Sequence, residues 1–535
     1  MIIDGIHTPV LIVGAGPSGL MMAAQLLRYG VQPIIIDSKQ GPTNFSKALG
    51  VQARSLEIYR QMGLVDRAID GGKKAKGLLF NQDGKEAAAV GLENVGEGLT
   101  PFPFVLLYQQ NKNERLLLDF LTQNCCPVYW GTTLVSLKQN VSGVELHLQE
   151  GDQVRNITCD WLIGADGAHS IVRKQLQIPF SGDTYAHNFY LADVELDNPE
   201  LSESQVQLFL AKKGFAGFFP VPEKKCYRIT GSLPDECDKK EGIKLEDVLS
   251  HLNGITTYPI NIVRNNWFTV YRLHHRMADK FRDGRCFLIG DAAHIHSPVG
   301  AQGMNTGLQD AYNLAWKLAG VVNNQLKEPI LDSYAQERIP VARDVLNTTD
   351  RIFTMATSRN LLARLFKKWV LPRLLKITGS KKNFRRAFFK RISQTDINYR
   401  HSSQSLHLSH ASKIKAGDRL PYLRLYDEKK EEETDLHAWC GKPGFTLIIF
   451  GKFDEMFLFN IARWITMRYP KLLNFYYLPP TGKNLDVFNE FEVNPHLQKA
   501  IIVRPDMHIG FINDTVDMRL MDNYLRNVVG IADFN

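Results

Sequence analysis

The sequence predicts an α/β protein in three parts: a doubly wound unit with a mainly parallel sheet, an antiparallel sheet inserted into it, and a second, smaller α/β unit at the C-terminal end. Three observations predict this. Short apolar strands run into glycine-rich turns at GAGPSGL from Gly14, GADGAHS from Gly164 and GDAAHIHSPVGAQGMN from Gly290. Segment 182–275, between the second and third turns, is rich in β-branched and aromatic residues separated by turn signals. From about residue 413 a strand-helix-strand pattern starts again. The resulting parts are 1–181, with a small insertion near 75–105; 182–275; 276–345, which completes the first unit; a basic helical connector over 346–412; and 413–535. A chain of 535 residues is too long for one core.

In the first element, Val10, Leu11, Ile12 and Val13 suit a buried parallel strand, and 21–29 carries helix formers up to Gly30. Gly14 permits the tight turn, Gly16 lets the backbone approach a pyrophosphate, and Gly19 allows close helix packing. Pro17 and Ser18 stand between them at the helix N-terminus, whose free amides face the phosphates. Strand 33–36 ends at Asp37, about 18 residues after Gly19, where a carboxylate accepts ribose hydroxyls. Such an acid favours an unphosphorylated ribose, hence FAD or NAD(H) over NADP(H) in this pocket.

The other two turns choose between those cofactors. Strand 160–163 leads into Asp166, with Arg173 following, and strand 286–289 leads into Gly290, Asp291, two alanines and His294. An aspartate at a strand's carboxyl end, beside alanines that leave room, sits where open α/β sheets bind ligands. The flavin ribityl chain is a polyol that needs such an acceptor. A glycine-rich loop follows from Pro298 to Asn305, and from Thr306 a helix carries Leu308, Ala311, Leu314, Ala315 and Leu318 on one stripe. Its N-terminus supplies partial positive charge toward a reduced flavin.

At these residues the chain resembles the FAD-dependent aromatic hydroxylases, the class A flavoprotein monooxygenases that include para-hydroxybenzoate hydroxylase and phenol hydroxylase. Gln110 with Glu114, Arg115 and Leu117 resembles the family's cofactor-touching helix, Arg276 to Arg285 its approach to the third turn, and Tyr334 to Arg338 the segment that closes its FAD domain. The resemblance implies a Rossmann-like, glutathione-reductase-type FAD-binding domain and an antiparallel sheet that covers the flavin. It also implies the reaction: NADPH or NADH reduces FAD, O2 is trapped as a flavin C4a-hydroperoxide, and one oxygen passes to an activated phenolic or polycyclic ring. The loop through Pro298, Gly300 and Gly303 is then the catalytic element, because the flavin must move between two positions. Gly14, Gly16, Pro17, Ser18, Gly19, Asp37, Lys47, Gln110, Asp166, Gly290, Asp291, Gly303, Met304 and Asn305 are implied to hold the cofactor. Leu49, Phe218, Pro220 and Tyr271 are implied to face the substrate.

Two positions depart from the family. Lys47 stands where an arginine is usual, which reduces a bidentate contact to a point charge. Leu49 stands where phenol hydroxylase carries an aspartate, so no base for the substrate hydroxyl is evident; Tyr271, Arg272, His294 and His296 are available, the two histidines also being explicable as structural.

In the C-terminal part, strand 445–450, helix 456–467, strand 472–478, a hairpin of 499–503 and 508–512 across Arg504-Pro505-Asp506, and a closing helix over 515–529 follow a thioredoxin-like order. This resembles the extra domain of phenol hydroxylase. Cys440 is alone and precedes its strand, so this domain is expected to be redox-inert. Seven scattered cysteines show no metal spacing and suit reduced thiols, with no metal and no disulfide. Glycines interrupt the apolar N-terminus and no basic region precedes it, so a cytoplasmic protein is expected. Segment 359–391 holds twelve Lys or Arg and no acid, interleaved with leucines and aromatics. It reads either as a solvated connector or as a peripheral membrane contact; nucleic acid is not expected, since no recognition motif accompanies the charge. A homodimer is the family-based expectation. Beside the aromatic hydroxylase, two readings stay open: a membrane-associated quinone-precursor hydroxylase, and a flavin-binding interaction platform without oxygenase activity.

Overall fold

Parallel pairing aligns the ends of the strands that carry the three turns. In the computed structural model, which describes residues 4–44, 46, 48–237, 240–256, 258–297, 301–357 and 382–532, Ile6–Val13 pairs with Gln153–Gly164 so that Val13 lies opposite Gly164. Gln153–Gly164 pairs in turn with Cys286–Leu288, setting Gly164 opposite Leu288. On the other side, Ile34–Asp37 sets Ile36 beside Val13. Three segments distant in sequence therefore end on one sheet edge, the position where open α/β sheets bind ligands. Helix Pro17–Arg28 and helix Gly303–Val322 cover this sheet. The second helix begins three residues before Thr306, where its apolar stripe starts, because its first turn is built from the glycine loop itself. Lys47, Pro298, Gly300 and most of the basic stretch, 358–381, lie outside the described residues.

The inserted sheet has eight strands, in the order His294–Ile295, Ile262–Ala278, Phe180–Leu196, Cys226–Ser232, Gly214–Pro220, Gln205–Ala211, Gly77–Gln82 and Lys85–Gly91. Its last two strands come from the expected insertion near 75–105, whose first strand pairs parallel with Gln205–Ala211. Two of its strands are unusually long, since Phe180–Leu196 and Ile262–Ala278 continue through register shifts. Composition and turn signals do not reveal helix Leu245–Thr256, whose Leu245, Val248, Leu252 and Ile255 bury one side of the sheet. The other end of the sheet joins the third turn directly: Arg276 and Met277 pair with Ile295 and His294.

The C-terminal sheet runs Leu406–Leu408, Ile509–Asn513, Lys499–Val503, Phe445–Phe450, Leu473–Leu478. This is the expected thioredoxin-like order with one added edge strand. Phe445, Leu447 and Ile449 belong to the same apolar cluster as the first unit, and Trp316 meets the Phe445 ring edge-on at 5.5 Å. Cys440 is buried, and burial pushes its thiol up to about 12, opposite to an activated thiolate. No described helix is long and apolar enough to cross a membrane. At the end of the basic stretch, helix Lys382–Ile392 buries Phe389 against Gly96 and bonds Arg385 to the Gly91 carbonyl.

Candidate cofactor and substrate site

At the first turn the glycines are dictated by backbone contact. Gly14 has φ +106°, and a Cβ on it would stand 2.3 Å from the Ala165 carbonyl oxygen of the second turn; a Cβ on Gly19 would stand 1.9 Å from the Gly14 oxygen. Gly16 is different: a Cβ there meets nothing within 4 Å. The first turn of the helix, with Pro17 at its start, has no side-chain cap and opens onto that space. This is the cradle a pyrophosphate needs, and the residues present fit it. Asp37 accepts from the amides of Ala15 (2.7 Å) and Lys39 (2.8 Å), which holds its carboxylate at the strand end.

The Ser18 hydroxyl lies between Gly290 and Gly307, 2.3 Å from where a Cβ on either would stand. It packs the first turn onto the third. The Asp166 Oδ2 accepts from the amides of Ile171 (2.6 Å) and Val172 (3.1 Å), and burial pushes this carboxyl up despite those bonds. Arg173 joins the second and third turns, donating to the carbonyls of Ala168 and Ala292 (both 2.8 Å) with its guanidinium 3.7 Å from the centre of the Phe180 ring. Asp291 is exposed at the strand end. Gln110 accepts from the Ala48 amide (3.1 Å) and donates to Glu114 (2.9 Å), bracing the segment that includes Leu49.

Two assignments at the end of the third turn change character. The Asn305 side chain accepts from Gln52 N (2.9 Å) and Ser55 Oγ (2.8 Å) and donates to the carbonyls of Gly50 (2.9 Å) and Ala301 (2.7 Å). It pins strand Gly50–Val51 to the loop and has no capacity left for a ligand; only its backbone, in the helix's first turn, can face the cofactor. Met304 is half-buried and its sulfur receives the Asn113 amide at 3.6 Å. Gly303 opens the helix, with His296 3.5 Å from where its Cβ would stand.

The histidines separate cleanly. His294 Nε2 shares Asp310 Oδ2 (2.7 Å) with the Gly290 amide (3.0 Å), while Arg338 donates to Asp310 Oδ1 (2.7 Å). Burial alone would raise Asp310, but Arg338 and His294 hold it below the usual carboxylate range. His294 is therefore structural. The legible signal for Asp310 is a carboxylate next to an apolar helical stripe. His296 donates from Nδ1 to the Ser297 carbonyl (2.8 Å), and its Nε2 is shut off from solvent without a partner. Burial draws this ring down to about 4, so it is neutral at pH 7 and Nε2 is an unfilled acceptor.

The inserted sheet places the substrate residues differently from expectation. Phe218 is fully buried, meets Phe209 edge-on at 5.5 Å and packs with Val248 and Leu252 under helix Leu245–Thr256. Pro220 lies opposite Tyr227 on that same face. Both belong to the core, because side chains alternate along a strand and the helix covers the even-numbered ones of Gly214–Pro220. The opposite face carries Phe189, Phe215 and Tyr271, with ring centres 5.9 and 6.2 Å from Phe189, and Thr230, which bonds the Tyr271 hydroxyl. It also carries Arg228, 2% exposed, forked onto Asp193 (2.8 and 2.6 Å) and reaching Ser46 Oγ and the Ala48 carbonyl (both 3.3 Å). This face therefore turns toward the cofactor unit. Leu49 packs there in an apolar cluster with Leu107, Val206 and Val221. Nothing in the local sequence marked Arg228 and Asp193 as a pair.

The model of the FAD binding domain family matches residues 7–349. The chain belongs to that family. The chain is 34% identical over 434 residues to pentachlorophenol 4-monooxygenase of Sphingobium chlorophenolicum, spanning 78% of this chain and 77% of that protein. It is 36% identical over 358 residues to 6-methylpretetramide 4-monooxygenase of Streptomyces rimosus, spanning 66% and 63%. The solved anhydrotetracycline hydroxylase of Streptomyces rimosus superposes with a TM-score of 0.78 at 26% identity, over 98% of this chain and 100% of that one. A ternary complex of aklavinone-11 hydroxylase with FAD and aklavinone shares the fold, with a TM-score of 0.81 at 20% identity over 99% and 100%. With such relatives the chain stands among the FAD-dependent aromatic monooxygenases, and FAD is its cofactor.

Proposed function

We propose that this monooxygenase hydroxylates a phenolic, polycyclic aromatic substrate, with NADPH or NADH as electron donor and O2 as oxidant. The observation that carries the reading is the aromatic face of buried Phe189 and half-buried Phe215 and Tyr271, on the side of the sheet whose Arg228 reaches Ser46 and Ala48 of the cofactor unit. FAD, when bound, supplies oxygen activation. The chain supplies the rest: the glycine cradle and Asp37 hold the dinucleotide, the aromatic face stacks the ring, and Leu49 with its apolar cluster excludes water. His296 Nε2 is the neutral acceptor for the substrate hydroxyl, a task that Leu49 cannot perform. Relatives named for tetracycline-type ring systems support a fused-ring substrate. The comparisons favour neither the quinone-precursor reading nor the platform reading. The seven cysteines, all thiols, suit a reducing compartment such as the cytosol, and a homodimer is readable by light scattering.

The test is NAD(P)H oxidation across a panel of simple and fused-ring phenols, with products weighed by mass spectrometry. Stimulated oxidation with a product heavier by one oxygen supports the proposal, most strongly on fused rings. Oxidation that no phenol stimulates and no oxygenated product overturn it.

A further inference from the structure

The C-terminal domain inserts two charges into the first unit. Arg504 and Asp506, in the turn between Lys499–Val503 and Ile509–Asn513, are each 1% exposed. Arg504 forks onto Glu337 (2.6 and 2.9 Å) and also bonds Asp506 (3.1 and 2.5 Å). Glu337 is satisfied further by Lys317 (2.7 Å), Asn313 (2.7 Å) and Ser402 (2.6 Å). Asp506 receives the Trp316 indole at 3.3 Å, and its carbonyl receives Arg54 at 2.7 Å. Burial alone would raise Glu337, but Arg504 and then Lys317 drive it far down, so it is ionised at any working pH.

The cluster leads to the flavin turns through one helix. Glu337 and Arg338 are consecutive, and Arg338 donates to Asp310, which holds the Gly290 amide and His294. Arg338 also donates to Tyr399 (3.1 Å), whose ring packs tilted against His508, two residues beyond Asp506, with ring centres 4.2 Å apart. Fully buried ion networks are poor sources of net stability, since desolvation offsets the attraction, but they demand one geometry.

We propose that Arg504, Asp506 and Glu337 are positioning residues for the cofactor: the thioredoxin-like domain locks the third turn, at Gly290 to His294, in its FAD-binding geometry. The inference rests on FAD binding alone and is independent of the substrate. The domain's function is then FAD retention, performed by a hairpin turn rather than by a thiol.

FAD release distinguishes this role from mere stability. The holoenzyme is diluted without substrate, and the rise of flavin fluorescence is followed beside the melting temperature. Glu337→Gln should release FAD about tenfold faster, and Arg504→Lys, which keeps charge without the fork, by an intermediate factor. The control is Asp514→Asn, which breaks the Lys499–Asp514 pair (2.8 Å) inside the C-terminal domain. It should lower the melting temperature and leave release unchanged. Should Glu337→Gln fail to fold, Ser402→Ala removes one hydroxyl from Glu337 and should accelerate release roughly threefold. Release at the wild-type rate in Glu337→Gln, or in Ser402→Ala if that is the variant obtained, overturns the proposal. So does acceleration of equal size in Asp514→Asn.

Discussion

The two faces of the inserted sheet are made from the same strands and do opposite work. Under helix Leu245–Thr256, Tyr190, Phe218 and Ile229 are fully buried and form a close-packed core. On the other face Phe189 is buried but Phe215 and Tyr271 are only half-buried, and the Arg228–Asp193 ion pair lies on the same face. The lesson is that aromatic content does not mark a pocket. Every other residue of an aromatic-rich strand is core, and one step of register decides which.

The difference is tested most strongly at Phe218. Phe218→Ala should cost about 4 kcal/mol of stability, since it empties a site sealed by Phe209 and the helix. Thermal melting of the holoenzyme reads this, while KM for the aromatic substrate should stay near wild type. A raised KM with little loss of stability would return Phe218 to the pocket.

Next in size is the ion pair of the opposite face. Arg228→Met leaves Asp193 without its fork and frees the segment around Ala48, so a loss of about 3 kcal/mol is expected, less than for a fully buried pair because Asp193 is 20% exposed. Asp193→Asn in the same background should recover part of that loss, and a double-mutant cycle measures the coupling. Additive effects would show that Arg228 and Asp193 are not coupled and that the fork carries none of the loss.

The sheet's end, where His294–Ile295 joins Ile262–Ala278, adds a pH dependence. His296 is lowered to about 4, while an unfolded histidine titrates near 6.5. Below about 6.5 the unfolded chain takes a proton that the folded chain refuses, so stability is complete above that pH and declines as pH falls toward 4. The slope approaches ~1.4 kcal/mol per unit, or about 2 kcal/mol at pH 5. Denaturant melts between pH 7 and 4 should show it, and His296→Gln should remove that share.

How much was legible follows the same division. The three turns were readable because strand, glycine and helix are consecutive, and Gly14 and Gly19 are required by contacts that only glycine tolerates. The order of the C-terminal domain was readable for the same reason. Phe215, Phe218 and Phe219 look alike in sequence, so the pocket and the core are not told apart there; what separates them is a helix thirty-odd residues on, whose 3-4-3 spacing of Leu245, Val248, Leu252 and Ile255 stands among strand-like segments. Asn305 reads as a cofactor residue because the glycine loop beside it is local, whereas its partners Gln52 and Ser55 lie about 250 residues away. The same holds for Arg504 and Glu337, 167 residues apart. Buried charges find partners through the fold, and a single sequence carries no local trace of them.

The smallest effect is the most discriminating. Tyr271 keeps its ring among Phe189 and Phe215 while its hydroxyl bonds Thr230 across the intervening strand Phe180–Leu196. Tyr271→Phe removes one hydrogen bond and no ring area, so stability should fall by about 1 kcal/mol or less. If this face receives a phenolic ring, the unpaired Thr230 also changes the polarity of the wall, and KM should rise about threefold with kcat nearly unchanged, the pattern of a contact made equally in ground and transition states. Phe218→Leu is the matching change on the covered face; it should shift the melting temperature and leave KM alone. Equal KM shifts in both variants would mean that the sheet transmits strain from face to face, and the division between core and pocket argued from register would fail.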